Sequence, residues 1–215
     1  MSPAEMLDRL VASEMRAVLG SIVVGREIIV LDQTSSTNDA IWQLAAPDSK
    51  EGLVLFAEDQ TAGRGQRGNR WESAAAKGLW FSILLRPRIE IKRSPLLTVW
   101  AAETISEAIE NELSLKTTIK LPNDVQIDGR KVAGVLVEMR AHEKAPYSAI
   151  VGIGINVNQV LEDFPKELQS RATSLAIALG RSAKGRIRRG EQVDRQTFAI
   201  ALLRNLDRSY KERFG

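Results

Sequence analysis

The sequence predicts an α+β (mixed α/β) fold, a largely antiparallel central sheet flanked by helices, on three observations. Apolar runs of strand length alternate with amphipathic helical stretches through 215 residues, with no internal repeat or low-complexity tract. Asp128-Gly129, the strongest short hairpin signal, stands between Val125-Gln126-Ile127 and the run from Lys131 to Val137, and a hairpin pairs its strands antiparallel. Ser94-Pro95 and Asp194 each open a stretch with apolar residues at helical spacing, which supplies the flanking layer.

The elements follow in order. Ser2-Pro3-Ala4-Glu5 joins a capping serine, a proline at the first helical position and a glutamate three residues after the cap. Leu7, Leu10, Val11, Met15 and Val18 follow on one face, so residues 1–25 read as an N-terminal helical extension. Ile28-Ile29-Val30-Leu31 is a buried strand, and the polar cluster from Thr34 to Asp39 leads into a short helix over Ala40 to Ala45. Leu53 to Ala57 and Leu79 to Leu85 are further strands, the second stopped at Arg86-Pro87 because proline cannot donate to a sheet ladder. Ser94-Pro95 begins the longest helix, with Leu97, Trp100, Ala101, Ile105, Ala108 and Ile109 as its buried stripe. After the hairpin a strand covers Tyr147 to Val157. A basic, glycine-containing loop from Arg181 to Gly190 then leads to a last helix, capped by Asp194 and buried along Phe198, Leu202, Leu206 and Tyr210. Residues 1–215 are expected to form a single domain.

Composition narrows the chemistry. No run approaches the roughly 18 apolar residues of a membrane span and no charged-then-apolar leader opens the chain, so the expectation is a cytoplasmic protein with no membrane partner. The absence of cysteine excludes disulfides, thiolate metal sites and thioester chemistry. A single histidine, His142, argues against a histidine-based triad or zinc site. Catalysis must rest on carboxylates, amides, lysine, arginine and backbone donors. A net charge of +3 is too small to mark nucleic-acid binding without a local patch. The basic run Lys184, Arg186, Arg188 and Arg189 lacks aromatic interleaving and a recognition-helix pattern, so it reads as a solvated loop and no nucleic-acid partner is expected.

Gly63 to Trp71, GRGQRGNRW, meets the dinucleotide pattern G-x-G-x-x-G but not its context. A pyrophosphate site needs a helix directly after the glycines. Here Glu72 to Gly78 leaves no room for one before the next strand, and no βαβ unit follows. The bland alternative is a surface loop. Arg64, Arg67 and Arg70 set among residues of little bulk favour a mobile loop that folds over an anion.

Three other stretches share that character. Ser36-Thr37-Asn38 crowds hydroxyls and an amide at a helix N-terminus, although Ser36 with Asp39 also resembles a capping box. Lys120-Leu121-Pro122-Asn123-Asp124 sets a lysine, an amide and a carboxylate around a proline, which is equally ordinary turn chemistry. In Val151 to Asn158, strand alternation sends Gly152, Gly154, Asn156 and Asn158 to one face. A face floored with glycine and lined with amides makes poor core and suits a flat ligand lying against the backbone.

In order and spacing these motifs resemble the biotin protein ligase (biotin–[acetyl-CoA-carboxylase] ligase) family from about Val30 to Phe214. They are Ser-Ser-Thr-Asn at 35–38, Gln60-Thr61-Ala62 running into GRGQRGNRW, KLPND followed by the run from Lys131 to Glu138, and VGIGINVN. Ala172-Thr173-Ser174-Leu175 resembles a late family element. The resemblance implies a class II aminoacyl-tRNA synthetase-like, biotin-lipoyl ligase catalytic domain. It also implies two half-reactions: biotin and ATP, with Mg2+, give biotinyl-5′-AMP and pyrophosphate, and a lysine of a biotin carboxyl carrier protein domain then takes the biotinyl group.

By the same resemblance Lys131 contacts the biotin carboxylate and the charge developing on the α-phosphate. Arg64 and its loop, with Gly65, Gln66 and Arg67, cover the adenylate and border biotin. Ser36, Thr37, Asn38 and Gln60 bind the biotin ring system or its chain, while Gly134, Gly152 and Gly154 let it lie against the sheet. Asn156 stands near the adenylate and Trp71 covers it, unless Trp71 is plain core. Asn123 and Asp124 are candidates for metal or acceptor-lysine contact, with Asp124 as base or only orienting the hairpin; no metal site made by the chain alone is assigned, Mg2+ being held through the ATP phosphates.

The sequence departs from the pattern in places. Gln66 stands where many members carry a second basic residue, which implies a looser hold on the adenylate, and Leu121 replaces a frequent tryptophan. A helix-turn-helix domain at the N-terminus and a small β-rich domain at the C-terminus, found in relatives, are not expected here. The oligomeric state stays open, a homodimer among the options. Two competitors remain. A lipoate or octanoate transferase of the same superfamily is disfavoured because the octanoyl branch uses a cysteine. A non-catalytic biotin-binding regulator is disfavoured by Lys131 and the arginine-bearing motifs.

Overall fold

A computed structural model describes residues 8–46, 49–141, 147–182 and 192–215. The helix start at Ser2 to Glu5, Leu7, His142 and the basic residues Lys184 to Arg189 lie outside the described residues.

The elements are α1 (Ala12–Leu19), β1 (Glu27–Thr34), α2 (Thr37–Leu44), β2 (Leu53–Gln60), β3 (Gly78–Leu85), α3 (Pro95–Leu113), β4 (Thr118–Lys120), β5 (Asp124–Ile127), β6 (Arg130–Arg140), β7 (Ser148–Asn156), α4 (Leu175–Ser182) and α5 (Arg195–Phe214). Among the described residues seven strands form one sheet in the order β1-β2-β3-β7-β6-β5-β4. Every neighbouring pair is antiparallel except β1 and β2, which α2 joins as a parallel βαβ crossover. The expected fold class stands.

Alternation divides the sheet into two unlike faces. Leu79, Phe81, Ile83 and Leu85 of β3 and Val151, Ile153 and Ile155 of β7 meet Trp100, Ala101 and Ile105 of α3 and Phe198, Leu202 and Leu206 of α5 in one large core. Each such side chain, fully buried, contributes about 1.5–3 kcal/mol. On the other face α2 covers only one end, where Ile41 packs on Leu53, Leu55, Leu84 and Ile150. The rest of that face, bearing Trp80, Ser82, Gly134, Gly152 and Gly154, is left for the site.

Several expectations need correction. The first helix among the described residues begins at Ala12, with Val11 flanking it, so Leu10 and Val11 lie outside it. Residues 10 and 11 stay extended because tertiary partners take their backbone donors: Leu10 N–H goes to Glu58 Oε1 at 3.0 Å and Val11 N–H to Gln196 Oε1 at 2.7 Å. Met15 and Leu19 face the core, whereas Val18 is 52% exposed. β2 runs on to Gln60, because its polar end stays paired with β1 through Gln33 and Thr34. Helix α5, of 20 residues, exceeds α3, of 19. The Asp-Gly hairpin is as expected: Asp128 and Gly129 take φ of 51° and 72°, the left-handed pair of a type I′ turn. Asp194 caps α5 through the Thr197 N–H at 2.8 Å.

Candidate active site

The polar junction after β1 builds one end of the site. Helix α2 starts at Thr37, three residues earlier than its apolar pattern suggests, which carries Ser36, Thr37 and Asn38 into buried positions against the sheet. The capping-box alternative fails, since the Ser36 side chain caps nothing. Gln60 takes that place: its Oε1 accepts from the Thr37 N–H at 2.9 Å and from the Thr37 hydroxyl at 3.1 Å. The parallel register sets Gln60 beside Thr34, at the mouth of the helix.

From Gln60 a continuous polar chain crosses the sheet face. Gln60 Nε2 donates to Ser73 Oγ at 3.2 Å. The Ser82 hydroxyl lies 2.8 Å from Thr37 Oγ1 and 2.6 Å from Asn38 Oδ1. Asn38 Nδ2 donates to Glu138 Oε2 at 2.8 Å, and Arg64 donates to the same carboxylate at 3.0 and 2.8 Å and to Asp39 at 2.7 Å. Burial disfavours the charge on Glu138, but the hydrogen bonds from Arg64 and Asn38, with the Arg64 charge and Trp42, outweigh it and hold the carboxyl below its ordinary pKa.

The glycines work differently from the simplest expectation of a bare floor. A Cβ on Gly152 would collide with Asn38 Oδ1, one on Gly154 with the Trp71 indole, and one on Gly134 would come within 2.9 Å of Lys131 Cε and the Trp71 ring. Protein side chains thus lie flat on the glycines. Trp71 also packs edge-on against Trp80, ring centroids 5.9 Å apart, and the indole nitrogens of both are buried with no hydrogen-bond partner among the described residues.

Trp71 and Lys131 stand between two clefts and line both. The first is bordered by Ser36, Thr37, Asn38, Gln60 and Arg64 of the polar chain, the three glycines, Gly65, Gln66 and Asn123. The second is bordered by Arg70, Lys120, Asp124, Asn156, Phe164 and Arg171. Lys131 Nζ is 2.6 Å from Asp124 Oδ1 and 5.2 Å from the Trp71 ring centroid. Its backbone is pinned by the late motif: Lys131 N–H donates to the Arg171 carbonyl at 2.8 Å and Thr173 N–H to the Lys131 carbonyl at 2.9 Å. Asn156 Nδ2 holds the Thr173 carbonyl at 3.0 Å, which ties β7 to the same strap.

The sequence-derived residues therefore converge, with two exceptions. Arg67, at φ 58°, is exposed and lines neither cleft. Asn158 is structural, its amide bonded to the Val193 carbonyl at 2.8 Å. Gln66 touches the Val135 carbonyl only at 3.5 Å. Participants not singled out beforehand are Ser73, Ser82, Glu138, Asp39 as an ion-pair partner, Phe164 and Arg171. Ser82 was legible as the lone hydroxyl in an apolar strand, and its register partner is Gly152. Glu138 follows Gly134 and Leu136 at the strand period and so shares their face.

A glycine-floored face with amides and hydroxyls at one end, an open cleft of basic side chains at the other and a lysine between them defines a domain suited to an elongated ligand with a neutral polar head and an anionic tail. The chain belongs to the biotin/lipoate A/B protein ligase family, whose model matches residues 30–156. It is 39% identical over 204 residues to the bifunctional ligase/repressor BirA of Bacillus subtilis, covering 95% of this chain and 60% of that protein. It is 33% identical to the biotin–[acetyl-CoA-carboxylase] ligase of Mycobacterium tuberculosis, over 85% of this chain and 63% of the relative. The chain thus spans about 60% of the length of these curated relatives. The biotin protein ligase of Aquifex aeolicus in complex with biotin and ATP superposes with a TM-score of 0.69 at 32% identity, over 88% of this chain and 73% of that one.

Proposed function

We propose that this chain is an ATP-dependent biotin protein ligase. Its carrying observation is Lys131, held by Asp124 and by the 171–173 strap at the one place shared by the two clefts. The first cleft takes the biotin ring and chain, the second the nucleotide, so the biotin carboxylate and the α-phosphate meet at Lys131. A carboxylate oxygen attacks the α-phosphorus, the bond to pyrophosphate breaks, and biotinyl-5′-AMP forms. The Lys131 ammonium, shared with Asp124 beforehand, turns to the charge that grows on the α-phosphate oxygens.

In the second half-reaction the amine of a carrier-domain lysine attacks the acyl carbon and AMP leaves. Asp124, then relieved of Lys131, takes the amine proton. Arg64 and its loop close over the adenylate. Among the described residues no group of three or more potential ligand side chains is set to hold a metal. Magnesium would be held mainly by the ATP phosphates, with Asp124 the carboxylate available beside them, and would neutralise phosphate charge there, the usual manner of this hard cation. The reading carries with it a cytoplasmic setting and a carboxylase carrier protein as partner. Among the described residues no helix is long and apolar enough to cross a membrane.

The test is direct. Incubated with biotin, ATP and magnesium, the protein yields biotinyl-AMP and a biotinylated carrier-domain lysine, both seen by mass spectrometry; no adenylate overturns the proposal. Lys131→Ala is expected to stay folded and to lose roughly tenfold or more in biotin-dependent pyrophosphate exchange, as loss of one charge-stabilising group does. Wild-type exchange in that variant removes Lys131 from the mechanism.

A further inference from the structure

Glu138 joins two parts of the site that lie on separate motifs. Its carboxylate accepts from Asn38 Nδ2 at 2.8 Å and from both terminal nitrogens of Arg64 at 3.0 and 2.8 Å. A carboxylate can only accept. It therefore dictates that Asn38 turns its nitrogen towards β6 and its oxygen towards Ser82, 2.6 Å away. Asn38 is 3% exposed and its oxygen lies over Gly152, so the amide cannot rotate without losing both partners. Arg64, by contrast, sits at the rim with its side chain 39% exposed, divided between Glu138 and Asp39.

We propose that Glu138 is a positioning residue: it fixes the orientation of the Asn38 amide at the ring end of the first cleft and, with Asp39, holds Arg64 at the rim until an anionic ligand draws it away. The proposal rests on the ligase reading above and deepens it. The loop that carries Arg64 in the first cleft also carries Arg70 and Trp71 of the second, so an adenylate that spans both clefts and recruits Arg64 has to compete with two carboxylates, and the acidic pair sets how firmly the loop closes over it.

Three substitutions separate the two roles. Glu138→Leu removes the acceptor for Asn38 and half the counter-charge of Arg64. Glu138→Gln keeps one oxygen for Asn38 but turns an amide N–H2 towards Arg64. Asp39→Asn weakens the hold on Arg64 at a half-exposed site and leaves the Asn38 acceptor in place.

Three readouts are taken on the full chain: KM for biotin in pyrophosphate exchange, the release rate of biotinyl-AMP, and phenylglyoxal labelling of Arg64 in ligand-free protein, located by peptide mass spectrometry. Glu138→Leu is expected to raise KM for biotin roughly tenfold with a smaller change in kcat, and Glu138→Gln to restore most of it, since hydrogen bonds to charged or buried groups carry that much. Glu138→Gln and Asp39→Asn are both expected to raise Arg64 labelling and to slow biotinyl-AMP release, each by roughly threefold, the scale of one partly exposed ion pair. Equal Arg64 labelling in all proteins, or a KM in Glu138→Gln as high as in Glu138→Leu, overturns the proposal. A wild type that makes no biotinyl-AMP defeats the ligase reading instead; the labelling needs no ligand and still decides the role of Glu138.

Discussion

Glycine at 152 is required by a neighbour. Gly152 pairs with Ser82 on one side and Leu136 on the other, and the space where its Cβ would stand holds the Asn38 amide oxygen. Removing a strand glycine usually helps a sheet, because glycine loses more backbone freedom on folding than any other residue, by roughly 0.5–1 kcal/mol against alanine. Here the gain is opposed by displacement of a buried amide with two partners, whose loss costs about 1–3 kcal/mol. Gly152→Ala is therefore expected to change the melting temperature little while raising KM for biotin roughly tenfold, the binding equivalent of about 1.4 kcal/mol. Thermal melts and pyrophosphate exchange on the same preparation check it; an unchanged KM would show that Asn38 does not need this glycine.

At the scale of elements, what the sequence revealed and what it hid have physical reasons. The apolar alternation of β3 and β7 and the Asp128-Gly129 turn are local properties, and they appear where the pattern puts them. The start of α2 and the extended path of residues 10 and 11 were hidden because Gln60, Glu58 and Gln196, distant in sequence, satisfy the backbone there. The parallel direction of β1 and β2 follows from the helix between them, since a strand–helix–strand order favours a parallel pair. GRGQRGNRW was legible in part. The structure makes it a narrow turn, with Gly65 N–H on the Asn69 carbonyl at 2.7 Å and Trp71 N–H on the Gly63 carbonyl at 2.9 Å, and no helix follows. The turn points Gln66 into the first cleft and Arg67 to solvent. Since Gln66 has only a 3.5 Å contact with the Val135 carbonyl, Gln66→Arg is expected to slow biotinyl-AMP release by roughly threefold to tenfold through a charge-assisted bond. Equal release rates for the two proteins would reject a role for position 66.

At the scale of the whole molecule, one buried cation ties the site to the far ends of the described chain. Arg195, at the start of α5, is 0% exposed and donates to Glu58 Oε2 at 2.6 Å and the Gly78 carbonyl at 3.1 Å, while its Nε lies 3.1 Å from Asp8 Oδ2. Glu58 lies two residues before Gln60 and Gly78 opens β3, so this clasp grips both stems of the segment that carries GRGQRGNRW and Ser73. Burial lifts the Asp8 carboxyl above its ordinary pKa, against the lowering pull of the Arg195 charge and of hydrogen bonds from Arg195 and Asn158. Arg195→Leu leaves two largely buried carboxylates, Asp8 and Glu58, without their cation, and breaking a buried pair by removing one partner costs about 3–5 kcal/mol. For a chain of this size that corresponds to a fall in melting temperature of roughly 6–20 °C. Arg213, which meets Glu103 at 2.6 Å on the surface with both side chains well exposed, offers the contrast, since such pairs are worth about 0–1 kcal/mol. Circular-dichroism melts of Arg195→Leu and Arg213→Leu side by side decide the matter, and equal shifts would show that the buried clasp holds the loop stems no more firmly than a surface ion pair would.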